Sequence, residues 1–194
     1  MALTKVPEEM IDATAGDAAE VLTTDGTDAT WAAAGGGGIE RVSIFRLSSS
    51  YTGSAVPITS NWEEADTYGY GKGDSAAAVT QSSGIFTFAA TGVYLVYFHM
   101  EAYGTTDHGT TYGNIRVTTD SGSNYYDSAY SNASINVVSS ANTFCNTNAF
   151  QIVDVTSTSV VKVQFAGVTD GANNIYGETG QNATYAMFLR LNST

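Results

Sequence analysis

Few groups in this chain could do covalent chemistry. The 194 residues include two histidines and one cysteine beside nineteen acidic residues. His99 falls in a run of aromatic and aliphatic residues, where a packed or interface imidazole is expected and not a base. His108 lies in the polar run Thr105-Thr106-Asp107-His108, where an exposed ring is expected. Cys145, between Ala141 and Phe150, reads as a buried and inert thiol, and as the sole cysteine it can form no intrachain disulfide. No pair of histidines or cysteines has zinc-ligand spacing, and no Gly-x-Ser-x-Gly elbow occurs. A glycosidase needs two carboxylates facing each other across a groove. Glu63, Glu64 and Asp66 cluster after Trp62, with Asp127 and Asp154 elsewhere, but no pair is singled out. Calcium could use Asp25, Asp28, Asp74, Asp107 or Asp170, yet the calcium-loop motif is missing. The expectation is a protein that is not an enzyme, with no catalytic residue, metal or cofactor.

Binding chemistry is better represented. Tyr68, Tyr70, Tyr103, Tyr112, Tyr125 and Tyr126 stand among Gly, Ser and Asn, with Tyr130 close behind. Rigid amphipathic rings with adaptable polar neighbours suit contact with another surface, so these are the candidate surface-binding residues. Packing at a subunit seam is the other reading of the same tyrosines.

The elements that position them read as strands. Thr, Val, Tyr and Phe favour a pleated, half-buried surface, while Gly, Asn, Asp and Ser punctuate turns. From Ile39 onward short strands are expected at Arg41–Leu47, Val56–Trp62 (an edge piece because of Pro57), Gly84–Phe88, Val93–Met100, Asn114–Thr119, Phe144–Val153, Ser159–Phe165 and Thr184–Leu191. Tyr103–Tyr112 and Asp120–Ser140 read as surface loops. In the strand from Val93, one face carries Tyr94, Val96, Phe98 and Met100, and the other Val93, Leu95, Tyr97 and His99. The final strand repeats this, with Tyr185, Met187, Leu189 and Leu191 opposite Ala186 and Phe188. A sandwich covers a strand on one side only. The second apolar face implies a subunit interface, for which Val93, Leu95, Tyr97, His99, Tyr185, Met187 and Leu189 are the candidates.

Residues 1–34 differ. They are rich in Ala, Thr and Asp, with spaced large residues Leu3, Val6, Met10, Ile11, Leu22 and Trp31. Val6–Ile11 is expected to start a short helix, and Glu20–Trp31 a hairpin around Asp25-Gly26. So sparse an arm cannot fold alone and is expected to order on a partner. Residues 35–38 are four glycines, a flexible joint with no phosphate-loop context. The domain expectation is therefore an anchor arm at 1–34, a linker at 35–38 and a head at 39–194.

Charge narrows the partners. A net charge of -12 repels phosphate backbones, so no nucleic-acid partner is expected. No apolar run approaches the roughly 20 residues of a membrane-spanning helix, and the first nine residues lack a signal-peptide core. Synthesis in a cytoplasm and release by lysis is the expected route.

The run GIFTFAATGVYLVYFHM, Gly84–Met100, resembles the hallmark of the globular head of the complement first-component family, related to tumour necrosis factor. The terminal TYAMFLRL is similar to that fold's closing strand, and Phe150–Phe165 to its paired late strands. The resemblance spans about Ile39–Leu191 and implies an all-β jelly-roll β-sandwich that forms homotrimers. This chain carries no collagen-like Gly-x-y stalk. Its EVLTTDGTDATWAAAGGGG segment instead resembles one common in bacteriophage tail-fibre and other virion proteins, where a Leu-Thr-x-Asp-Gly-Thr-x-x-x-Trp unit precedes a glycine-rich joint. Together they imply a virion structural protein, a capsid-decorating fibre or tail appendage. It would be held to other capsid or tail proteins by its arm and display a head for stabilisation or adhesion to a host-surface glycan. The alternative is a free, soluble, trimeric lectin-like protein. A glycan depolymerase is disfavoured, since 194 residues leave little room for a catalytic groove beside the head.

Overall fold

A computed structural model describes residues 20–24, 29–33, 39, 41–69, 76–138 and 140–192. The chain divides into two compact units, Met1–Gly38 and Ile39–Thr194. In the first, β1 (Glu20–Thr24) pairs antiparallel with β2 (Ala29–Ala33), and Leu22 registers with Trp31. The expected hairpin is there. The turn between its strands and the helix expected over Val6–Ile11 lie outside the described residues.

The second unit is a two-sheet sandwich. The smaller sheet runs in the order β10 (Tyr126–Ile135), β9 (His108–Thr118), β12 (Lys162–Val168), β7 (Ile85–Phe88), β6 (Val79–Ser82). The larger sheet centres on β8 (Gly92–Gly104). Along one side of β8 lies β11 (Thr143–Val155), paired over its full length. The other side is shared by β14 (Tyr185–Asn192), against Val93–His99, and β13 (Asn174–Glu178), against Ala102 and Tyr103. Next to β14 stand β3 (Val42–Leu47) and then β5 (Trp62–Glu64), while β13 carries β4 (Ser49–Thr52). The described strands pair antiparallel throughout.

The core is aromatic. Phe86 meets Phe45, Trp62, Phe165 and Phe188 at ring-centroid distances of 5.4, 5.3, 5.1 and 5.2 Å. Phe165 packs on Phe98 at 4.7 Å, and Phe88 on Tyr94 at 4.6 Å. All but Phe86–Phe165, which joins two strands of the smaller sheet, cross between the sheets, and each pair contributes roughly 0.5–1.5 kcal/mol beyond its area burial. Two glycines of the Gly84–Met100 run set this layer. Ser83 and Gly84 both have positive φ, 49° and 76°, the requirement of a two-residue type I′ hairpin loop between β6 and β7. A side chain at 84 would also place its Cβ 2.1 Å from the Ile58 carbonyl oxygen. Gly92, at φ 139°, starts β8 where a Cβ would lie 2.3 Å from the Asn192 carbonyl oxygen.

Four expectations need correction. No strand covers Val56–Asn61: Pro57 has no N–H for a ladder, and the segment attaches through an Ala55–Gly167 bridge and an Ile58 N–H to Phe165 carbonyl bond before β5 begins at Trp62. Tyr103–Tyr112 is not one loop, since β8 runs through Gly104 and β9 starts at His108. Asp120–Ser140 contains all of β10, an edge strand whose exposed polar positions hide its alternation. The short strands β4, β6 and β13 were not expected at all.

The β9–β10 turn is held by Asp120. Its carboxylate accepts from Thr118 Oγ1 at 2.6 Å, the Asn124 backbone N–H at 2.9 Å and Asn124 Nδ2 at 2.7 Å. These bonds, that from Thr118 foremost, lower its pKa to about 2. A depressed folded-state pKa adds stability above the unfolded value of about 4, and that contribution is lost as pH falls toward about 2. Asp120→Ala should therefore melt below the wild type at neutral pH, with the gap closing between about pH 4 and about pH 2. Thermal melts across that range check it; a gap independent of pH would show that the charge is not what holds the turn.

Candidate functional site

The outward face of the larger sheet is apolar. Register stacks its residues in rows across four strands: Ile152–Leu95–Leu189–Val42, then Phe150–Tyr97–Met187–Ile44. The inward residues of β8 are buried, while these outward ones are half-buried to exposed, with Phe150 at 69% and Ile152 at 50%. The next row is polar: Asn148–His99–Tyr185–Arg46. Tyr97 donates its hydroxyl to Asn148 Oδ1, and His99 Nδ1 donates to the same oxygen at 2.7 Å. The His99 ring lies 5.4 Å from that of Tyr185. Burial first, and the neighbouring Tyr185 second, push the Tyr97 hydroxyl pKa up. At the far end of the row Arg46 is buried, giving Nε to Glu63 Oε1 at 2.7 Å and Nη2 to Thr67 Oγ1 at 2.8 Å. Beyond this row Tyr103 stacks on Phe144 at 5.4 Å and meets Tyr176 edge-on at 5.5 Å.

The structure thus brings together Val93, Leu95, Tyr97, His99, Tyr185, Met187 and Leu189 on one face, and adds Val42, Ile44, Phe150 and Ile152. The last two were legible from the Phe144–Val153 alternation, where Phe144, Asn146, Asn148, Phe150 and Ile152 share a parity. This face offers packing and, beside the apolar rows, a pinned polar row.

The tyrosines do not form one cluster. Tyr103 belongs to the larger sheet's outer face, whereas Tyr112 is on β9 and Tyr126 on β10 of the smaller one. Tyr125 precedes β10 with its hydroxyl buried and unpartnered among the described residues. Tyr68 stands in a turn at φ 55°, and Tyr70 lies outside the described residues. Of the anchor candidates, Leu22 and Trp31 are paired across the hairpin, and Leu3, Val6, Met10 and Ile11 lie outside the described residues. His108 Nδ1 bonds Thr111 Oγ1 at 3.1 Å. Asp107 accepts from the Val137 backbone N–H at 2.6 Å, and Asp170 from Ala172 and Asn173. Among the described residues no three His, Cys, Asp or Glu side chains converge as metal ligands.

Two antiparallel sheets with this strand order, closed by a C-terminal strand inserted between β3 and β8, form a jelly-roll β-sandwich of the tumour necrosis factor type. Among solved structures the chain is similar to "Structure of Eiger TNF from S. frugiperda", with a TM-score of 0.57 over 81% of this chain and 96% of that one. Sequence identity is 11%, so the likeness establishes the fold alone. Neither a family model nor a curated protein sequence matches the chain.

Cys145 is half-buried on β11, and burial raises its thiol pKa. A neutral thiol is a poor nucleophile. Iodoacetamide at neutral pH should therefore alkylate the native chain about tenfold or more slowly than the urea-unfolded chain. Equal rates, followed by mass spectrometry, would show that the thiol is open to solvent.

Proposed function

We propose that this chain is a non-enzymatic structural protein of a phage particle, a homotrimeric jelly-roll head carried on an N-terminal anchor arm. The observation that carries the assembly is the outer face of the larger sheet. Two full rows of apolar side chains stand at a surface where a solvated sandwich places polar ones. Covering that face with sister subunits removes it from water, and the tumour-necrosis-factor-type fold supplies a head shape for which the resemblance above implies trimers. The polar row through His99 would set the register of the contact. The virion setting is supported by the Leu22–Trp31 unit, which forms a hairpin and is followed by the four glycines. In this reading the arm meets other capsid or tail proteins and the head stabilises the particle or adheres to a host surface.

Light scattering on the purified chain should give three chain masses at micromolar concentration. Phe150→Asp, at an exposed position of the single chain, should leave cooperative melting intact and yield monomers, because a charge buried without a partner costs several kcal/mol. A wild-type monomer, or a trimeric Phe150→Asp, rules this face out as the interface.

Attachment is separable from assembly. A chain beginning at Ile39 should still trimerise and melt cooperatively but fail to bind particles that lack the protein. Trp31→Ala in the full chain should weaken attachment, a large aromatic being the natural hot spot of so sparse a segment. Normal occupancy by the truncated head would move the attachment site to the jelly roll itself.

A further inference from the structure

The opposite surface of the head, the outward face of the smaller sheet, holds a groove of about 350 Å³. Thr110, Tyr112 and Asn114 of β9 line it with Asp127, Tyr130 and Asn132 of β10. Register makes it a checkerboard: Tyr130 lies opposite Asn114, and Asn132 opposite Tyr112. Rings and carboxamides therefore alternate around one depression, with Ala166 of β12 as the small neighbour on the other side of Asn114.

Asn114 is only 6% exposed, and its Oδ1 is buried with no hydrogen-bond partner among the described residues. A buried carbonyl oxygen left unpaired costs roughly 1–3 kcal/mol, so a fold retains one where something else completes it. The last torsion of an Asn side chain is soft, and a turn about it offers the amide to the groove. Opposite it, the Tyr130 ring is 65% exposed, open to a flat ligand face. At the groove's end Arg116 Nε donates to Asp127 Oδ1 at 3.0 Å. That pairing fixes the carboxylate and neutralises the nearby cation.

We propose that this groove binds a neutral sugar ring of a glycan. A pyranose has an apolar C–H face for the exposed Tyr130 ring and hydroxyls that both donate and accept. Asn114 and Asn132 offer donors and acceptors together, and Asp127 an acceptor for a hydroxyl pair. The volume lies within the roughly 300–1,000 Å³ of small-ligand sites. Anionic sugars are disfavoured, because Arg116, the cation at the groove among the described residues, is already paired and the chain carries a net charge of -12. The inference deepens the display role proposed above and rests on it for its biological setting. The chemistry of the groove stands independently of that role.

Saturation-transfer NMR on the full chain tests it, with the methyl glycosides of glucose, galactose, mannose and N-acetylglucosamine, and with sialic acid as the anionic probe. At least one neutral glycoside should give saturable transfer. Tyr130→Ala, at an exposed position, should weaken that binding about tenfold or more without changing the oligomeric mass. Asn132→Ala should also weaken it. Transfer to no neutral glycoside, transfer to sialic acid alone, or undiminished binding by Tyr130→Ala would each overturn the assignment. A monomeric chain that binds the glycoside through Tyr130 upholds the groove and sinks the trimer. A trimer that binds none sinks the groove alone.

Discussion

Side chains on an extended strand point alternately to its two faces, and β8 carries large apolar residues at both parities. Tyr94, Val96, Phe98 and Met100 enter the core, so Val93, Leu95, Tyr97 and His99 must point outward. A shift of one residue would exchange the sets without making either polar. Neighbouring strands on both sides lock the strand against such a shift, β11 over its whole length and β14 and β13 on the other side. The inward set builds the aromatic layer that joins the two sheets. The outward set makes the larger sheet a surface that favours cover.

The two outer surfaces of the sandwich differ in chemistry for the same geometric reason. On β9 the inward positions Gly113 and Ile115 meet the core, and Gly113 leaves room for Phe98, Met100 and Thr147. Its outward positions are Thr110, Tyr112, Asn114 and Arg116, polar or amphipathic side chains of which Asn114 is buried and the others stay partly exposed. One surface is thus suited to permanent burial and the other to reversible contact. A head that packs through the first keeps the second free.

The all-β class, the glycine-bounded pair β7–β8 and the closing strand were legible because their apolar alternation is strong and local. The interface candidates were legible for the same reason, as both parities of Val93–Met100 are in the sequence. Strands β10 and β13 were not. On the edge strand β10 most positions are polar or small, and alternation among them leaves little hydrophobic period to read, while β13 is five residues long with Ile175 as its one fully buried side chain, too short to show a period. The groove is not legible in the sequence for a further reason. It depends on the cross-strand pairing of Asn114 with Tyr130, which no spacing along the chain encodes. Tyr112 was singled out, but its partner Asn132 lies within a stretch that reads as loop.

Because β3 and β14 pair antiparallel, with Val42 beside Leu189, the head begins and finishes at one pole of the sandwich. Gly92 lies at that pole, and Gly104, at the other end of β8, reaches the opposite one. A pull applied between residue 41 and Asn192 would separate the first hydrogen bonds of this strand pair one after another, as a zipper opens, and not load them together in shear. Pressure borne by the distal pole would instead fall on the turns around Thr105–Asp107 and Asp170–Asn173. The latter two are laced together, since Asn173 donates its side-chain amide to the Thr106 carbonyl and fills the space above Gly104. The head is mechanically polarised: a buttressed crown stands over a base that can be peeled.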